Sequence, residues 1–478
     1  MTSTVPGIPG SRIIELRAQV PPGQVLTYDL AALASAFEID DPGRIAVETD
    51  GLRTALITIY PANPLGIMPP PSKADMLMDE HGRIVVGRYH NGRPARRRLF
   101  DPRTGSAVRA LTFGTTGSGK SRTVQYVLAA EKLNGIVSWY GDLKGGQSAP
   151  EARGNVDWLA TSQEEVILML RAAVAVGQAR QARYAAMGRN AFVIGDPDPL
   201  ISVRVDEANR LLEKGAPYRE EATYLVKELG RTGRSVGIGE ELDAQASHLE
   251  ELGGSDTLRG MLKEGEVTLL RWSSTMMKQL VSDGLLPPGT QLMPIPKSLK
   301  PRILRSQFEP GGDDDEDVCD TQGSAYLLSS PHPTSLMRHW RIGSILPMPG
   351  LDPEILALYG PGDPARIEEA SMEAALAYDL RGTEAMALAC EVVKEQYVKA
   401  KAQIQAVKGG RGAVLLADRV RTVLAEADDP MAPEEILVLV LADGGPDAKI
   451  GSVRNALGVL AEAGDVVRVA RGLYAIAS

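Results

Sequence analysis

Cysteine is nearly absent from this chain: two residues, Cys319 and Cys390, stand far apart among 478. Neither sits in a metal-ligand or redox spacing, so no disulfide framework is implied, and the usage suits a reducing cytoplasm. Long apolar runs are missing too. No stretch approaches the roughly 20 residues that cross a bilayer, and the N-terminus lacks a charged-then-apolar leader pattern. The expectation is a cytoplasmic protein with no transmembrane segment of its own, a membrane-bound partner staying open. Positive charge is not in excess either: 52 Lys and Arg face 61 Asp and Glu, a net −9. That argues against nonspecific coating of nucleic acid and leaves the question to local basic faces.

What is present belongs to a globular protein, with 44% hydrophobic and 24% charged residues, and the length asks for two to four domains. Residues 1–105 carry short β-like runs ("RIIELRAQV", "GRIAVET", "TALITIY") around one helical stretch, then a proline-rich linker and a hairpin ending in Arg93, Arg96, Arg97 and Arg98. This reads as an N-terminal β-rich α+β domain, with the arginines either meeting a nucleic acid or forming a solvated hairpin tip. From 106 to 350, strands alternate with helical patterns, which predicts a parallel α/β sheet. Within that stretch, "EPGGDDDEDVCDTQG" reads as a flexible surface insertion, with an acidic interaction patch as the alternative. Residues 351–412 read as a helical linker closing in the flexible "KGGRG", and 413–478 as three helices and two short strands.

"GTTGSGKS" at 114–121 fills G-x-x-x-x-G-K-[ST] completely, between the apolar strand "VRALTF" and a helix. That placement lets glycine backbone N–H groups and a helix N-terminus converge on phosphate oxygens. Gly114, Thr115, Thr116, Gly117, Ser118, Gly119, Lys120, Ser121 and Arg122 form the expected ATP-binding set. Lys120 would reach the β- and γ-phosphates, and the Ser121 hydroxyl would ligate Mg²⁺. "LISVRVDEA" at 200–208 is a strand ending in two carboxylates. Asp206 would hold the metal's water shell and Glu207 would polarise the attacking water. Arg204, inside that strand, requires a partner or a subunit boundary.

With these motifs, "YGDLKGG" (140–146), "LGRTGRSVGI" (229–238) and "VTLLRWSS" (267–274), the chain resembles the FtsK/SpoIIIE family of DNA translocases. Its likeness is greatest to actinobacterial plasmid-transfer and phage members. The resemblance implies a RecA-like ATPase that assembles as a homo-oligomer, usually a hexameric ring, and pumps double-stranded DNA in plasmid transfer or a phage-related process. It also implies an arginine supplied by a neighbouring subunit, or one that relays the nucleotide state; Arg231, Arg234 and Arg271 are the candidates. Gln245 keeps the family's sensor position, whereas Ala246 and Ser247 replace its Arg-Pro. Glu240, Glu241 and Asp243 stand where the family's strand is apolar. Buried carboxylates there are costly unless paired, so the strand is expected at a sheet edge or ring face, or the coupling of hydrolysis to movement has changed.

The C-terminal segment resembles the family's winged helix. Lys449, Ser452, Arg454 and Asn455 open its third helix, where base and phosphate contacts form, and Arg468 and Arg471 fall on the wing. Acids outnumber bases in the segment, which keeps protein docking as a second reading of it. Two other functions stay open for the whole chain: an ATP-switched, sequence-specific DNA-binding protein that does not translocate, and a protein-secretion ATPase of the same superfamily.

Overall fold

The structure of the chain, a computed structural model, describes residues 2–4, 12–39, 41–244, 260, 264–271, 285–286, 292–299, 319–427, 429–442, 449–470 and 472–477. It divides into two compact units, Met1–Cys390 and Glu391–Ser478.

The first unit holds a ten-stranded sheet. Its spatial order is Trp158–Ala160, Val137–Asp142, Ile201–Asp206, Ile238–Ala244, Arg109–Gly114, Glu266–Leu270, Ser324–Leu327, Met337–His339, Arg83–Tyr89 and Pro94–Arg98. The strands from Trp158–Ala160 through Glu266–Leu270 are mutually parallel. The remaining four join antiparallel. The wholly parallel sheet expected from the strand–helix alternation is therefore a mixed one. The arginine-bearing hairpin, read from sequence with the N-terminal region, forms its far edge.

The parallel half is covered on both faces. Every residue of Val137–Asp142 is buried, as is every residue of Ile238–Ala244. The helix Lys120–Leu133 packs beneath one face, burying Val124, Tyr126, Val127, Leu128, Ala129 and Ala130. The helix Gln163–Ala186 follows the strand Trp158–Ala160. The Ser162 hydroxyl caps it by accepting from the Glu165 N–H at 3.1 Å.

A separate four-stranded sheet, ordered Thr2–Thr4, Arg12–Gln19, Thr54–Ile59 and Ile45–Asp50, lies in the N-terminal stretch. Its core is formed by Ala34, Ile39, Ile45, Ile57 and Ile59.

The helix Ala385–Ala425 runs through Gly409, Gly410 and Gly412, where the sequence suggested a flexible break. Each glycine costs a helix about 1 kcal/mol relative to alanine, which a 41-residue helix absorbs. In the second unit, the helices Pro433–Ala442 and Ile450–Glu462 and the hairpin Val466–Ala470/Leu473–Ile476 enclose Val420, Leu424, Ile436, Val440, Val453, Leu457 and Val466. Among the described residues no helix is long and apolar enough to cross a membrane. Most of the acidic insertion, 309–318, and Gln245, Ala246, Ser247 and Arg471 lie outside the described residues.

Candidate functional site

The loop after Arg109–Gly114 turns twice through left-handed backbone, at Gly117 (φ 75°) and Gly119 (φ 99°). Only glycine takes such angles freely. At Gly119 a side chain would also press on Gly323, whose backbone nitrogen lies 3.0 Å from the position of a Cβ. That closeness has a use: the Gly323 N–H donates to the Ser118 carbonyl at 2.8 Å and holds the loop against the sheet. Thr115, Thr116 and Gly117 remain exposed, while Ser118, Gly119 and Lys120 are buried.

Lys120 opens its helix and reaches across to the end of Ile201–Asp206. Its ammonium pairs with Asp206 Oδ1 and lies 3.2 Å from Glu207 Oε1. Burial works to lower its pKa, but Asp206, Asp243 and Glu207 overcome that and raise it. The P-loop lysine and the two carboxylates are thus one constellation.

Glu207 sits at φ 55°, an uncommon angle for a residue with a side chain. Its N–H donates to Asp206 Oδ1 at 2.9 Å. A residue outside the expected set completes the group: Lys144 Nζ stands 2.6 Å from Glu207 Oε1. Its signal was in the sequence, because Lys144 is the lysine of "YGDLKGG".

These residues fit a Mg²⁺-bound triphosphate. Asp206 Oδ2 and Ser118 Oγ are buried and have no hydrogen-bond partner among the described residues, an arrangement that favours an incoming ligand or water. Ser121 lies in the first helical turn. The donor set, one hydroxyl and one carboxylate, is the hard-oxygen kind Mg²⁺ takes alongside phosphate and water.

Arg122 is committed elsewhere: its Nη1 lies 3.0 Å from Asp352 Oδ2. Burial raises the Asp352 carboxyl, but the Ser344 N–H and Arg122 outweigh it and bring it down to about 2. Arg271, at φ 45°, pairs with Asp320. A Cβ on Gly117 would stand 3.6 Å from its Nη1, so Arg271 belongs to its own chain's P-loop. Arg231 and Arg234 are exposed; Arg231 pairs with Glu228 at 2.7 Å, one helical turn away.

The acidic strand corrects the expectation placed on it. Ile238–Ala244 is neither at an edge nor exposed: it lies between Ile201–Asp206 and the P-loop strand. Its carboxylates survive burial because arginines meet them. Arg204, directly opposite Glu241 in the ladder, pairs with Glu241 and, at 3.0 Å, with Asp243. Arg97 pairs with Glu241 from the hairpin and is buried, so it is neither solvated tip nor surface contact. Burial disfavours the Glu241 carboxylate, but Arg204 and Arg97 hold its pKa below the ordinary value. Asp243 is pushed up to about 6 by burial, against the pull of Arg204. Glu131, on the P-loop helix, joins the same layer by accepting from Ser138 Oγ at 2.6 Å and Ser202 Oγ at 2.7 Å.

Glu240 points to the other face, with neither carboxylate oxygen hydrogen-bonded among the described residues. Burial pushes its pKa from 4.5 to about 8, against a weaker pull from Arg109. Below pH 4.5 the folded and unfolded chains both hold this proton, so nothing changes. Between 4.5 and about 8 only the folded chain keeps it, so stability falls as pH rises, by at most about 1.4 kcal/mol per unit. Glu240→Gln removes this dependence. The stability of the variant relative to wild type should therefore climb from pH 4.5 to 8 and then level, as read from urea midpoints across that range. A constant difference would refute the buried protonated carboxyl.

In the second unit Lys449, Ser452, Arg454, Asn455 and Arg468 are all exposed. Arg454 is partly neutralised, its Nη2 lying 2.7 Å from Glu434 Oε1.

No protein-family model and no curated protein matches the sequence. Among solved structures the chain is similar to the pCW3 conjugation coupling protein TcpA, described as a monomer with ATPγS, at 15% identity and TM-score 0.44. The match covers 71% of this chain and 88% of that one. It is similar to the cytoplasmic domain of the Thermomonospora curvata type VII secretion ATPase EccC at 18% identity and TM-score 0.41, over 72% of this chain and 35% of that chain. VirB4 of Thermoanaerobacter pseudethanolicus follows at 10% and 0.33, over 56% and 98%. Conjugation and secretion proteins are thus among the solved structures to which the chain is similar.

Proposed function

We propose that this chain is an ATP- and Mg²⁺-dependent motor of FtsK/SpoIIIE type that moves double-stranded DNA in plasmid transfer or a phage-related process. The observation that carries the ATPase part is the meeting of Lys120 with Asp206 and Glu207 at the mouth of the glycine loop. In this reading the loop N–H groups and Lys120 bind the β- and γ-phosphates. Mg²⁺, held by Ser121 and Asp206, would offset phosphate charge when bound. Glu207 accepts a proton from the attacking water as its oxygen bonds to the γ-phosphorus, and the bond to the bridging oxygen breaks with its electron pair leaving on ADP.

The DNA part rests on the sequence resemblance and on the exposed polar face at Lys449, Ser452, Arg454, Asn455 and Arg468. On that reading the second unit is a winged helix that recognises a DNA motif, and the larger unit is a RecA-like domain preceded by a β-rich one. The motor works in the cytoplasm as a homo-oligomeric ring, taken as a hexamer, with a membrane-bound partner at the transfer site. The exposed Arg231 and Arg234 suit an arginine acting across the boundary between subunits. Arg271, beside its own P-loop, suits a relay.

The test is ATP turnover with and without linear duplex, run beside displacement of a third strand from that duplex. Turnover should rise at least several-fold with DNA, and the third strand should be removed only with hydrolysable ATP. Turnover indifferent to DNA together with an undisturbed triplex would leave an ATPase that is not a DNA pump.

A further inference from the structure

We infer that Lys144 is a positioning residue for hydrolysis, keeping the Glu207 carboxyl group aimed after Lys120 has turned to the phosphates. The inference rests on the ATPase reading above and goes beyond it by giving a task to a residue outside the P-loop and Asp–Glu motifs.

Two ammonium groups share a single oxygen, Glu207 Oε1: Lys120 at 3.2 Å and Lys144 at 2.6 Å. Glu207 is buried, with 1% of its surface exposed, so its carboxylate is costly to hold without a nearby cation. Phosphate binding would recruit Lys120, because a P-loop lysine contacts the β- and γ-oxygens. Lys144 is then a contact that still fixes Glu207 Oε1 while the glutamate takes the proton of the attacking water.

The turn that presents Lys144 is built to hold still. The Asp142 carboxylate accepts from the Lys144 N–H at 2.9 Å and from the Ser148 N–H at 2.7 Å. The Leu143 carbonyl accepts from Arg210 Nη1 at 2.9 Å. Gly145 and Gly146 supply the positive φ values, 73° and 85°, that close the turn. The Lys144 side chain is about one-third exposed. It can therefore be replaced without leaving a void in the core.

A methionine at 144 keeps the stem and removes the charge. In steady-state ATPase assays of the full chain, Lys144→Met should lower kcat about tenfold or more with KM within about twofold, a mispositioned base losing part of the general-base advantage. Lys144→Arg, which restores the cation, should recover most of kcat, and both variants should melt with wild type. An unchanged kcat in Lys144→Met overturns the inference. So does a Lys144→Arg variant as slow as Lys144→Met, which would assign the loss to the shape of the turn. A wild-type chain that does not hydrolyse ATP, with or without duplex DNA, overturns the ATPase reading itself and this inference with it. A hydrolysing wild type with an indifferent Lys144→Met overturns only the role of Lys144.

Discussion

Glu207→Gln is expected to lower kcat for ATP hydrolysis by a factor on the order of 10²–10⁴, the usual worth of a general base, while ATP still binds. The amide keeps the size of the side chain at a buried position but cannot accept the proton of the attacking water. Lys120→Ala is the companion: it removes the group that bridges the loop to Asp206 and Glu207, and both binding and turnover should fall. A fluorescent ATP analogue separates the two variants, since it should bind Glu207→Gln and bind Lys120→Ala weakly. Near-normal turnover in Glu207→Gln would refute the assignment of the base, and Asp206 would then have to be reconsidered as metal ligand and base together.

The second large effect concerns stability. Arg204→Met should destabilise the larger unit by about 3–5 kcal/mol, because it leaves Asp243 buried without its arginine and Glu241 with Arg97 alone. For a unit of this size that is a fall in melting temperature of roughly 4–6 °C. Arg204→Met/Asp243→Asn should regain most of it, since the surviving Arg97–Glu241 pair is neutral. Thermal melts of the single and double variants decide the matter. A double variant no more stable than the single would mean that Arg204 is held for its packing and not its charge.

The sequence displayed the chemistry more clearly than the architecture around it. The glycine loop and the Asp206–Glu207 strand end are local patterns whose function requires that spacing, so their residues could be named from the chain alone. The strand Ile201–Asp206 was legible as an apolar run ending in two carboxylates. The partners of Arg204 were not. Pairing it with Glu241 requires knowing which strand lies beside which, and in a parallel sheet neighbours in space are far apart in sequence. Arg97 is 144 residues from Glu241, and nothing in "RPARRRL" tells the buried arginine from the exposed Arg96 and half-buried Arg98 beside it. Lys144 was visible within a motif, but its contact with Glu207 depends on a turn held by Asp142, which only the folded backbone reveals.

The charged ladder between Ile201–Asp206 and Ile238–Ala244 has a bearing on how the sheet assembles. Aliphatic strands buried on both faces can slide past one another with little penalty, because one branched side chain substitutes for the next. Here Arg204 faces Glu241, with Glu240 one place before it and Leu242 one place after. A slip of a single residue turns every side chain to the opposite face and parts Arg204 from both Glu241 and Asp243. The ion pairs therefore act as a key that admits one alignment of two adjacent strands, during the slow search that distant parallel pairings entail. That alignment brings the loop lysine within reach of both carboxylates.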